Sequence, residues 1–413
     1  MNVLVIGYVW PEPASSAAGY RMLALLHAFR RQGWQVTFAS PAEKSIHRAD
    51  LPARGIREVN IALNCSSFDD FITELQPDLV MFDRFMMEEQ FGWRVEQHCP
   101  RAIRLLDTED LSCLRHARHQ ACKQSGKVCL DVPAELLFSE HAKREVAAIL
   151  RSDLNLMISP AEIELLQNRF KVDPALLLES PFMQPRVTGE QQAQLPSFDQ
   201  RNHFIVIGNF RHAPNWDAVL WLKQTLWPLI RARLPDAELH IYGAYPPPKA
   251  TQLHNPKQGF LIKGWAEDVN QVMQQARVNL APLRFGAGLK GKLVDALACG
   301  TPSVTTSVGA EGMAGRFDWP QPVTDGPEHF ADQAVLLYTQ AALWQQCQQQ
   351  GFELHNQRFD FEPHADTLIE RLQQLQQTLD SHRLANFTGA MLRHHSMKST
   401  QYMAQWIEAK NRK

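Results

Sequence analysis

The segment FGAGLKGK, residues 285–292, places two lysines and three glycines at the start of a predicted helix. Glycine lets the backbone approach a ligand closely, and the first N–H groups of a helix lack partners within it. Lys290 and Lys292 add positive charge at the same place. This combination suits a phosphate or diphosphate. The alternative interpretation is a glycine-rich turn with solvated lysines.

A second segment of this kind, GNFRHAPN, occupies residues 208–215. Gly208, Asn209 and Arg211 follow a predicted strand, and a helix is predicted to start at Pro214 with Asn215 as its N-cap. We expect Arg211 and this helix start to approach the same anion. The alternative is a capped helix that carries a surface arginine.

The loop at residues 8–21 is long for a strand-to-helix connection, which usually has two to six residues. It lacks the G-x-G-x-x-G pattern, so a nicotinamide dinucleotide site has little support. Ser16 and Gly19, at the predicted helix start, favour binding of a phosphate or of sugar hydroxyls. The loop can instead serve only to pack on another domain.

Oxygen-bearing side chains follow the predicted strand Ile103–Leu106, in the run Asp-Thr-Glu-Asp at residues 107–110. Asp107 and Asp110 are candidates for binding sugar hydroxyls or assisting proton removal. The alternative is that Asp107 or Thr108 caps the next helix. His116 and His119 have the spacing of a metal pair but no evident third ligand, so no metal site is predicted.

These segments lie in a chain where short apolar runs alternate with amphipathic helices, which predicts an α/β protein with parallel sheets. The predicted strands are residues 2–8, 35–40, 79–82, 103–106, 154–159, 203–208, 238–243, 260–263, 278–281 and 303–307. A helix is predicted over 289–298, with Gly300 just past its end. In such folds ligands bind beyond the carboxyl ends of the strands, where the candidate segments lie.

The polar stretch 184–201 predicts a linker, because the alternation restarts after it. We predict a first Rossmann-like domain over residues 1–185 and a second over 200–372. Residues 373–413 are expected to form a helical tail that packs back on the first domain.

The composition excludes several classes of protein. The 413 residues carry 42 Lys and Arg against 44 Asp and Glu, a formal charge of −2, which argues against a nucleic-acid binder. Seven cysteines without a C-x-x-C pair favour reduced thiols and a cytoplasmic location. No apolar run approaches the length of a transmembrane helix.

The second half of the chain resembles the retaining GT-B glycosyltransferases called glycosyl transferases group one, and is family 4-like. The resemblance rests on the segments GNFRHAPNWDAVLWLKQTLWPLI, PDAELHIYG and APLRFGAGLKGKLVDALACGTPSVTTSVGAEGM, with a Gly-Trp turn at 264–265. Their order and spacing match across about 110 residues. The first half matches more loosely, through its first loop and RSDLNLMISPAEIELL.

The resemblance implies two facing Rossmann-like domains, the second holding a nucleotide-diphosphate sugar and the first an acceptor. It implies that Lys290 or Lys292, together with Arg211, binds the diphosphate. Asp295 stands where the family has a glutamate that holds the ribose hydroxyls. Aspartate can perform this role because its carboxylate can accept two hydrogen bonds. Gly264 and Trp265 match the turn that receives the base.

One position departs from the family pattern. Ala287 stands where the family has a glutamate that holds the donor sugar. We expect backbone amides of Gly286, Ala287 and Gly288 to substitute for it, and the resemblance leaves the sugar selectivity undefined.

The resemblance further implies sugar transfer with retention of configuration, without a metal or cofactor. The acceptor would be a glycan or lipid-linked molecule of the cell envelope, and the protein would stay in the cytoplasm or associate peripherally with the inner membrane face. One alternative is a catalytically silent subunit that binds a sugar nucleotide. Another, an epimerase or phosphorylase of the same fold, would need catalytic groups that the sequence does not show.

Overall fold

The first domain is built on a seven-stranded parallel sheet. The computed structural model describes residues 1–411, and the strand order of this sheet is β3-β2-β1-β4-β5-β6-β7. The strands are β1 (Asn2–Ile6), β2 (Gln35–Ser40), β3 (Arg57–Asn60), β4 (Leu79–Asp83), β5 (Ile103–Asp107), β6 (Leu154–Met157) and β7 (Leu177–Glu179).

The second domain has a five-stranded parallel sheet with the order β10-β9-β8-β11-β12. Its strands are β8 (Asn202–Ile207), β9 (Leu239–Tyr242), β10 (Phe260–Gly264), β11 (Ala276–Ala281) and β12 (Ser303–Thr305). The predicted α/β class and the two Rossmann-like domains are therefore confirmed. The edge strands β3 and β7 were not predicted, because β3 is a polar four-residue strand and β7 has only three residues.

Helices cover both faces of each sheet. In the first domain these are α1 (Ala17–Arg31), α2 (Ser67–Leu75), α3 (Phe85–His98), α4 (Ser112–Ser125), α5 (Ala134–Leu137), α6 (Glu140–Arg151) and α7 (Pro160–Arg169). Then follow α8 (Gly189–Gln194), α9 (Ala213–Trp221), α10 (Trp227–Arg233), α11 (Pro248–Thr251), α12 (Val269–Gln275), α13 (Gly291–Ala298), α14 (Ser307–Ala310), α15 (Pro327–Thr339), α16 (Ala341–Arg358), α17 (Phe361–Ala385) and α18 (Phe387–Asn411).

The short apolar runs are strands buried on both faces. In β1, Leu4 and Ile6 belong to one apolar core, whereas Val3 and Val5 belong to another on the opposite face. Burial on both faces explains why these strands are continuously apolar instead of alternating with polar residues.

Each sheet has one place where successive connections run in opposite directions, between β1 and β4 and between β8 and β11. Loops that leave adjacent strands at such a place diverge and open a crevice. The two segments predicted to bind an anion, 208–215 and 285–292, follow β8 and β11. The topology therefore brings them together.

The chain passes between the domains twice, and the two passages are hydrogen-bonded to each other. The Gln184 amide donates to the Phe359 carbonyl at 2.7 Å, and the Phe361 amide donates to the Gln184 carbonyl at 3.0 Å. α17 then packs on the first domain, where Leu368 and Leu372 join the core that contains Val3. The return thus begins at residues 359–361, and the predicted boundary at 372 lies inside α17.

All seven cysteines are unpaired in the structure, and six of them are buried. None of the helices between residues 1 and 411 combines the length and apolar character needed to cross a bilayer.

The packing of α17 yields a stability prediction. Leu372→Ala should lower the free energy of unfolding by about 2–5 kcal/mol, because the leucine side chain is fully buried and its removal leaves a cavity. The matched control is Leu384→Ala, in the same helix, where the side chain is 82% exposed. Urea denaturation followed by circular dichroism measures both changes. Equal midpoints for the two variants would show that α17 does not stabilise the first domain.

Candidate functional site

Two helices begin at the carboxyl edge of the second sheet without a side-chain cap. α9 begins after His212 and α13 after Lys290, and neither side chain makes a capping hydrogen bond. The prediction that Asn215 is an N-cap is wrong, since Pro214 and Asn215 lie inside the first turn of α9. Uncapped N–H groups and the positive ends of two helix dipoles therefore lie at this edge.

The two candidate lysines have different surroundings. The Nζ of Lys290 donates to the carbonyls of Ala287 and Gly288, which ties it to its own loop. The Nζ of Lys292 donates to Oδ1 of Asn215 at 2.8 Å and so joins the start of α13 to the start of α9. Burial lowers the pKa of Lys290 to about 8 and that of Lys292 to about 7.

Asn215 holds the 208–215 loop in place beneath Lys292. Its side-chain amide donates to the Asn209 carbonyl at 3.0 Å, while Oδ1 of Asn209 accepts from the Arg211 amide at 2.9 Å. A Cβ at Gly208 would lie only 2.6 Å from the Asn215 side chain. The glycine therefore makes room for the asparagine that contacts Lys292.

Arg211 does not contact the lysines in this structure. It is exposed, and its guanidinium lies 3.8 Å from the ring centroid of Tyr245. The Tyr245 hydroxyl donates to the Glu12 carboxylate of the first domain at 3.0 Å. Arg211 thus belongs to the mouth of the cleft between the domains.

Gly264 and Trp265 also lie at this mouth. Gly264 has a φ of +80°, and its carbonyl accepts from the Gly243 amide at 2.8 Å. Trp265 is partly exposed and donates through Nε1 to the Ala14 carbonyl at 3.2 Å. The left-handed glycine turns the chain so that this indole reaches the first domain.

Asp295 lies one turn after Lys292 on α13 and is hydrogen-bonded to Gln184, in the first passage of the chain between the domains. Its Oδ1 accepts from the side-chain amide of Gln184 at 3.1 Å, and Oε1 of Gln184 lies 2.9 Å from Nε2 of His355. Burial raises the pKa of Asp295 to about 6, although the hydrogen bond from Gln184 opposes this shift. The carboxylate is therefore held by a residue of the inter-domain passage.

The glycine loop, residues 285–292, is held by two side chains of the first domain, Glu162 and Arg118. Oε1 of Glu162 accepts from the amides of Leu111 and Gly288, at 2.8 and 2.9 Å. Arg118 donates to the Gly286 carbonyl at 2.9 Å and to both oxygens of Glu311 at 2.6 Å. These contacts close the cleft on this side.

The same contacts constrain the backbone amides expected to substitute for the missing glutamate. The amide of Gly288 is used by Glu162, and Ala287 is buried against the first domain's core. Gly288 has a φ of +63°, and a Cβ there would lie 2.8 Å from that of Asp110. Only glycine fits this approach without displacing the other domain.

Ser16 and Gly19 have structural roles at the start of α1. The Ser16 hydroxyl accepts from the Gly19 amide at 3.1 Å and so caps the helix. A Cβ at Gly19 would lie 2.5 Å from the backbone of Glu12. The long first loop therefore folds back over the helix that it precedes, and it also contacts the second domain.

Asp107 and Asp110 are both held by arginines. Asp107 is fully buried and lies 2.8 Å from Nη2 of Arg21. Oδ2 of Asp110 lies 2.8 Å from Nε of Arg115. Burial raises the pKa of Asp110, but the charge and hydrogen bond of Arg115, together with the charges of His212 and Arg84, lower it overall. Neither Asp107 nor Thr108 caps a helix, because α4 begins after Leu111.

Glu109, between these aspartates, is the more available carboxyl group. It is half-buried and has a φ of +60°, an uncommon backbone conformation for a residue other than glycine. Burial and the charge of Asp107 raise its pKa to about 8. Glu109 is consequently protonated for the most part at neutral pH and able to donate a hydrogen bond.

Sequence reasoning missed Arg118, Glu162, Gln184 and Glu311. Glu162 and Glu311 lie in segments that carried the family resemblance, but nothing in one sequence shows that they face the other domain. Among the described side chains, those of residues 1–394 and 398–411, no three His, Cys, Asp or Glu residues are grouped so as to hold a metal ion.

Two parallel Rossmann-like sheets that face each other across a closed cleft define the GT-B class of fold. Residues 201–340, which lie in the second domain, match the model of the family described as glycosyl transferases group 1. No curated protein matched the chain significantly in sequence.

Solved structures share the whole architecture. Sucrose-phosphate synthase from Thermosynechococcus elongatus is 16% identical with a TM-score of 0.66, over 91% of this chain and 99% of that one. Anabaena HepE, solved with UDP-glucose, is 12% identical with a TM-score of 0.66, over 91% and 100%. WaaG, a glycosyltransferase involved in lipopolysaccharide biosynthesis, is 12% identical with a TM-score of 0.60, over 89% and 98%.

The bridge across the cleft gives a prediction about domain closure. Arg118→Met should open the cleft, because it removes the contacts with Gly286 and Glu311 and leaves the Glu311 carboxylate without its partner. Small-angle X-ray scattering should then show a larger radius of gyration. The control is Arg144→Met, which breaks a surface pair with Glu89 and a contact with the Phe85 ring, both within the first domain. An unchanged radius for Arg118→Met would mean that other contacts suffice for closure.

Proposed function

We propose that the chain is a retaining, metal-independent glycosyltransferase. It transfers a sugar from a nucleotide-diphosphate sugar to a glycan or lipid-linked acceptor. The contact between Lys292 and Asn215 carries the donor part of this proposal. It joins an ammonium group to the starts of two helices, with Asp295 on the same face of α13 one turn further on.

Lys292, not Lys290, is the lysine that we assign to the diphosphate. The ammonium of Lys290 is occupied by two loop carbonyls and lies near Glu311 and Glu162, so its role is to hold the glycine loop. Lys292 has the neutral side chain of Asn215 as its partner, which an anion can replace at small cost. Arg211 at the cleft mouth adds a second positive charge once it leaves Tyr245.

The remaining donor contacts follow from the same edge of the sheet. Asp295 accepts hydrogen bonds from the ribose hydroxyls, and the turn at Gly264 and Trp265 receives the base. Gly208, Asn209, Gly286 and Ala287 line the path of the diphosphate and the sugar through their backbone. The bound UDP or UDP-glucose that the HepE structures contain supports a uridine nucleotide as the first donor to test.

The chemistry in this proposal is stabilisation of a leaving group. As the bond from the sugar to the diphosphate breaks, negative charge grows on the phosphate oxygens, and Lys292, Arg211 and the helix starts lower its cost. The closed cleft excludes water, which protects the donor from hydrolysis. No protein nucleophile is required in this scheme.

On the acceptor side, Glu109 replaces Asp107 and Asp110 as the group proposed to touch substrate. The Glu109 carboxyl group is proposed to form a hydrogen bond with an acceptor hydroxyl. The two aspartates instead fix the conformation of the loop through their ion pairs with Arg21 and Arg115. The role of WaaG in lipopolysaccharide biosynthesis supports an acceptor of the bacterial envelope. Unpaired cysteines support a cytoplasmic location.

A second candidate, a silent subunit that binds a sugar nucleotide, is favoured by Ala287. No side-chain carboxylate is present there to hold the donor sugar. Purified protein incubated with UDP-sugars and a glycan or lipid-linked acceptor distinguishes the two. Acceptor-stimulated release of UDP supports transfer, and binding without release supports the silent subunit. The anomeric configuration of the product, read by NMR, tests retention.

The assignment of the diphosphate predicts the effect of one lysine. Lys292→Met should weaken UDP binding by about 10- to 100-fold, the value of a charge-assisted hydrogen bond. The control is Lys257→Met, an exposed lysine before β10 at the opposite edge of the sheet. Isothermal titration calorimetry measures both affinities. If Lys292→Met binds UDP as tightly as Lys257→Met, the phosphate lies elsewhere.

The depressed pKa of Lys292 predicts proton uptake on binding. At pH 8.5 a group with a pKa of about 7 is mostly neutral, and a neighbouring diphosphate raises that pKa. UDP binding should therefore take up about one proton per molecule at pH 8.5. Calorimetry in buffers of different ionisation enthalpy measures this number. Uptake that persists in Lys292→Met would assign the proton to another group.

A further inference from the structure

α18 presents a row of large apolar side chains to solvent. Phe387, Met391, Tyr402 and Trp406 recur at helical spacing, and between 47 and 69% of each side chain is exposed. Met403 lies beside them and is 58% exposed. A helix that only completes a globular domain turns its large apolar residues inward. α18 does the opposite.

Small residues make the closest contacts of the inner face of α18. A Cβ at Gly389 would lie 2.2 Å from the Leu150 carbonyl, and Ala404 is buried against Trp93. The helix packs in this way on α3 and α6. Small inward residues let it lie close to the domain while its largest side chains point away.

The exposed side of α18 is positively charged. Its one carboxylate, Glu408, is half-buried and accepts from the Ser66 hydroxyl at 2.6 Å. Lys398 and Lys410 are exposed, and the ammonium of Lys410 lies 5.2 Å from the Trp406 ring centroid. Tyrosine and tryptophan with lysine beside apolar side chains suit the interface of a lipid bilayer, with lysine attracted to anionic headgroups.

The direction of α18 relates this surface to the cleft. The helix begins beside the end of α6, where Asn386 donates to the Leu150 carbonyl at 2.7 Å. It ends beside Ser66, before the start of α2, and α2 follows β3 at the carboxyl edge of the sheet. Tyr402, Trp406 and Lys410 therefore lie toward the edge that forms the cleft.

We propose that the outer face of α18, formed by Phe387, Met391, Lys398, Tyr402, Met403, Trp406 and Lys410, docks on an anionic lipid surface. The helix lies in the plane of the interface, with its aromatic residues among the headgroups and its small-residue face on the domain. This docking places the acceptor side of the cleft close to the membrane. It is a binding property of the chain and holds whether or not the proposed transfer reaction is correct.

The test is sedimentation of the full chain with vesicles of phosphatidylcholine alone or with 30% phosphatidylglycerol. Binding should be at least about tenfold stronger to the anionic vesicles and should weaken with salt, since lysines supply the attraction. Phe387→Ser with Trp406→Ser should reduce this binding by about tenfold or more. Lys398→Glu with Lys410→Glu should reduce it on anionic vesicles only.

The control is Phe138→Ser, an exposed aromatic residue of the first domain that lies outside α18. It should bind vesicles like the unaltered chain, and thermal unfolding and UDP affinity should be the same for all variants. Absence of binding to anionic vesicles overturns the proposal, as does binding that Phe387→Ser with Trp406→Ser leaves unchanged. A dimer in light scattering that this double variant converts to monomer, without vesicle binding, assigns the face to a second copy of the chain instead.

Discussion

The conformation of the cleft depends on hydrogen bonds and one ion pair between the two domains. Oε1 of Glu162 accepts one amide from its own domain and one from the glycine loop of the other, at Leu111 and Gly288. Arg118 takes a loop carbonyl and the carboxylate of Glu311. A buried charge is tolerated only when it is paired, so the Arg118 guanidinium of the first domain depends on Glu311 of the second. The glycine loop that presents the lysines is consequently shaped from across the cleft.

This constraint separates the two lysines, which sequence spacing could not do. Lys290 and Lys292 lie two residues apart at the start of α13, and burial lowers the pKa of both. Lys290 donates to carbonyls of the loop that Glu162 and Arg118 also hold, whereas Lys292 donates to Asn215 of the neighbouring helix. The first is part of the support and the second is part of the surface that a ligand meets. A depressed lysine pKa in such a place means that the site gains a proton when it gains an anion.

Sequence patterns predicted what depends on local structure. Buried strands, helix starts after β8 and β11 and the left-handed Gly300 follow from apolar periodicity and glycine chemistry, and the structure places them where expected. The predictions that the structure does not support concern side chains whose partners come from tertiary contacts. Asn215 has the composition of a cap, but Pro214 already occupies the first turn and the amide is used for Asn209. Asp107 and Asp110 look like free acids until Arg21 and Arg115, which the fold supplies, are known.

Tertiary contacts also explain why apolar periodicity does not identify the packed face of α18. In α17 the leucines point inward and mark the core, so apolar spacing identifies the packed face. In α18 the packed face is marked by Gly389 and Ala404, and apolar spacing identifies the face turned to solvent. Periodicity shows that a helix has two faces, and side-chain size against a close neighbour decides which one packs. Where large apolar side chains are exposed to solvent beside lysines, as on α18, they can be buried by binding to another surface, such as the anionic lipid surface proposed above.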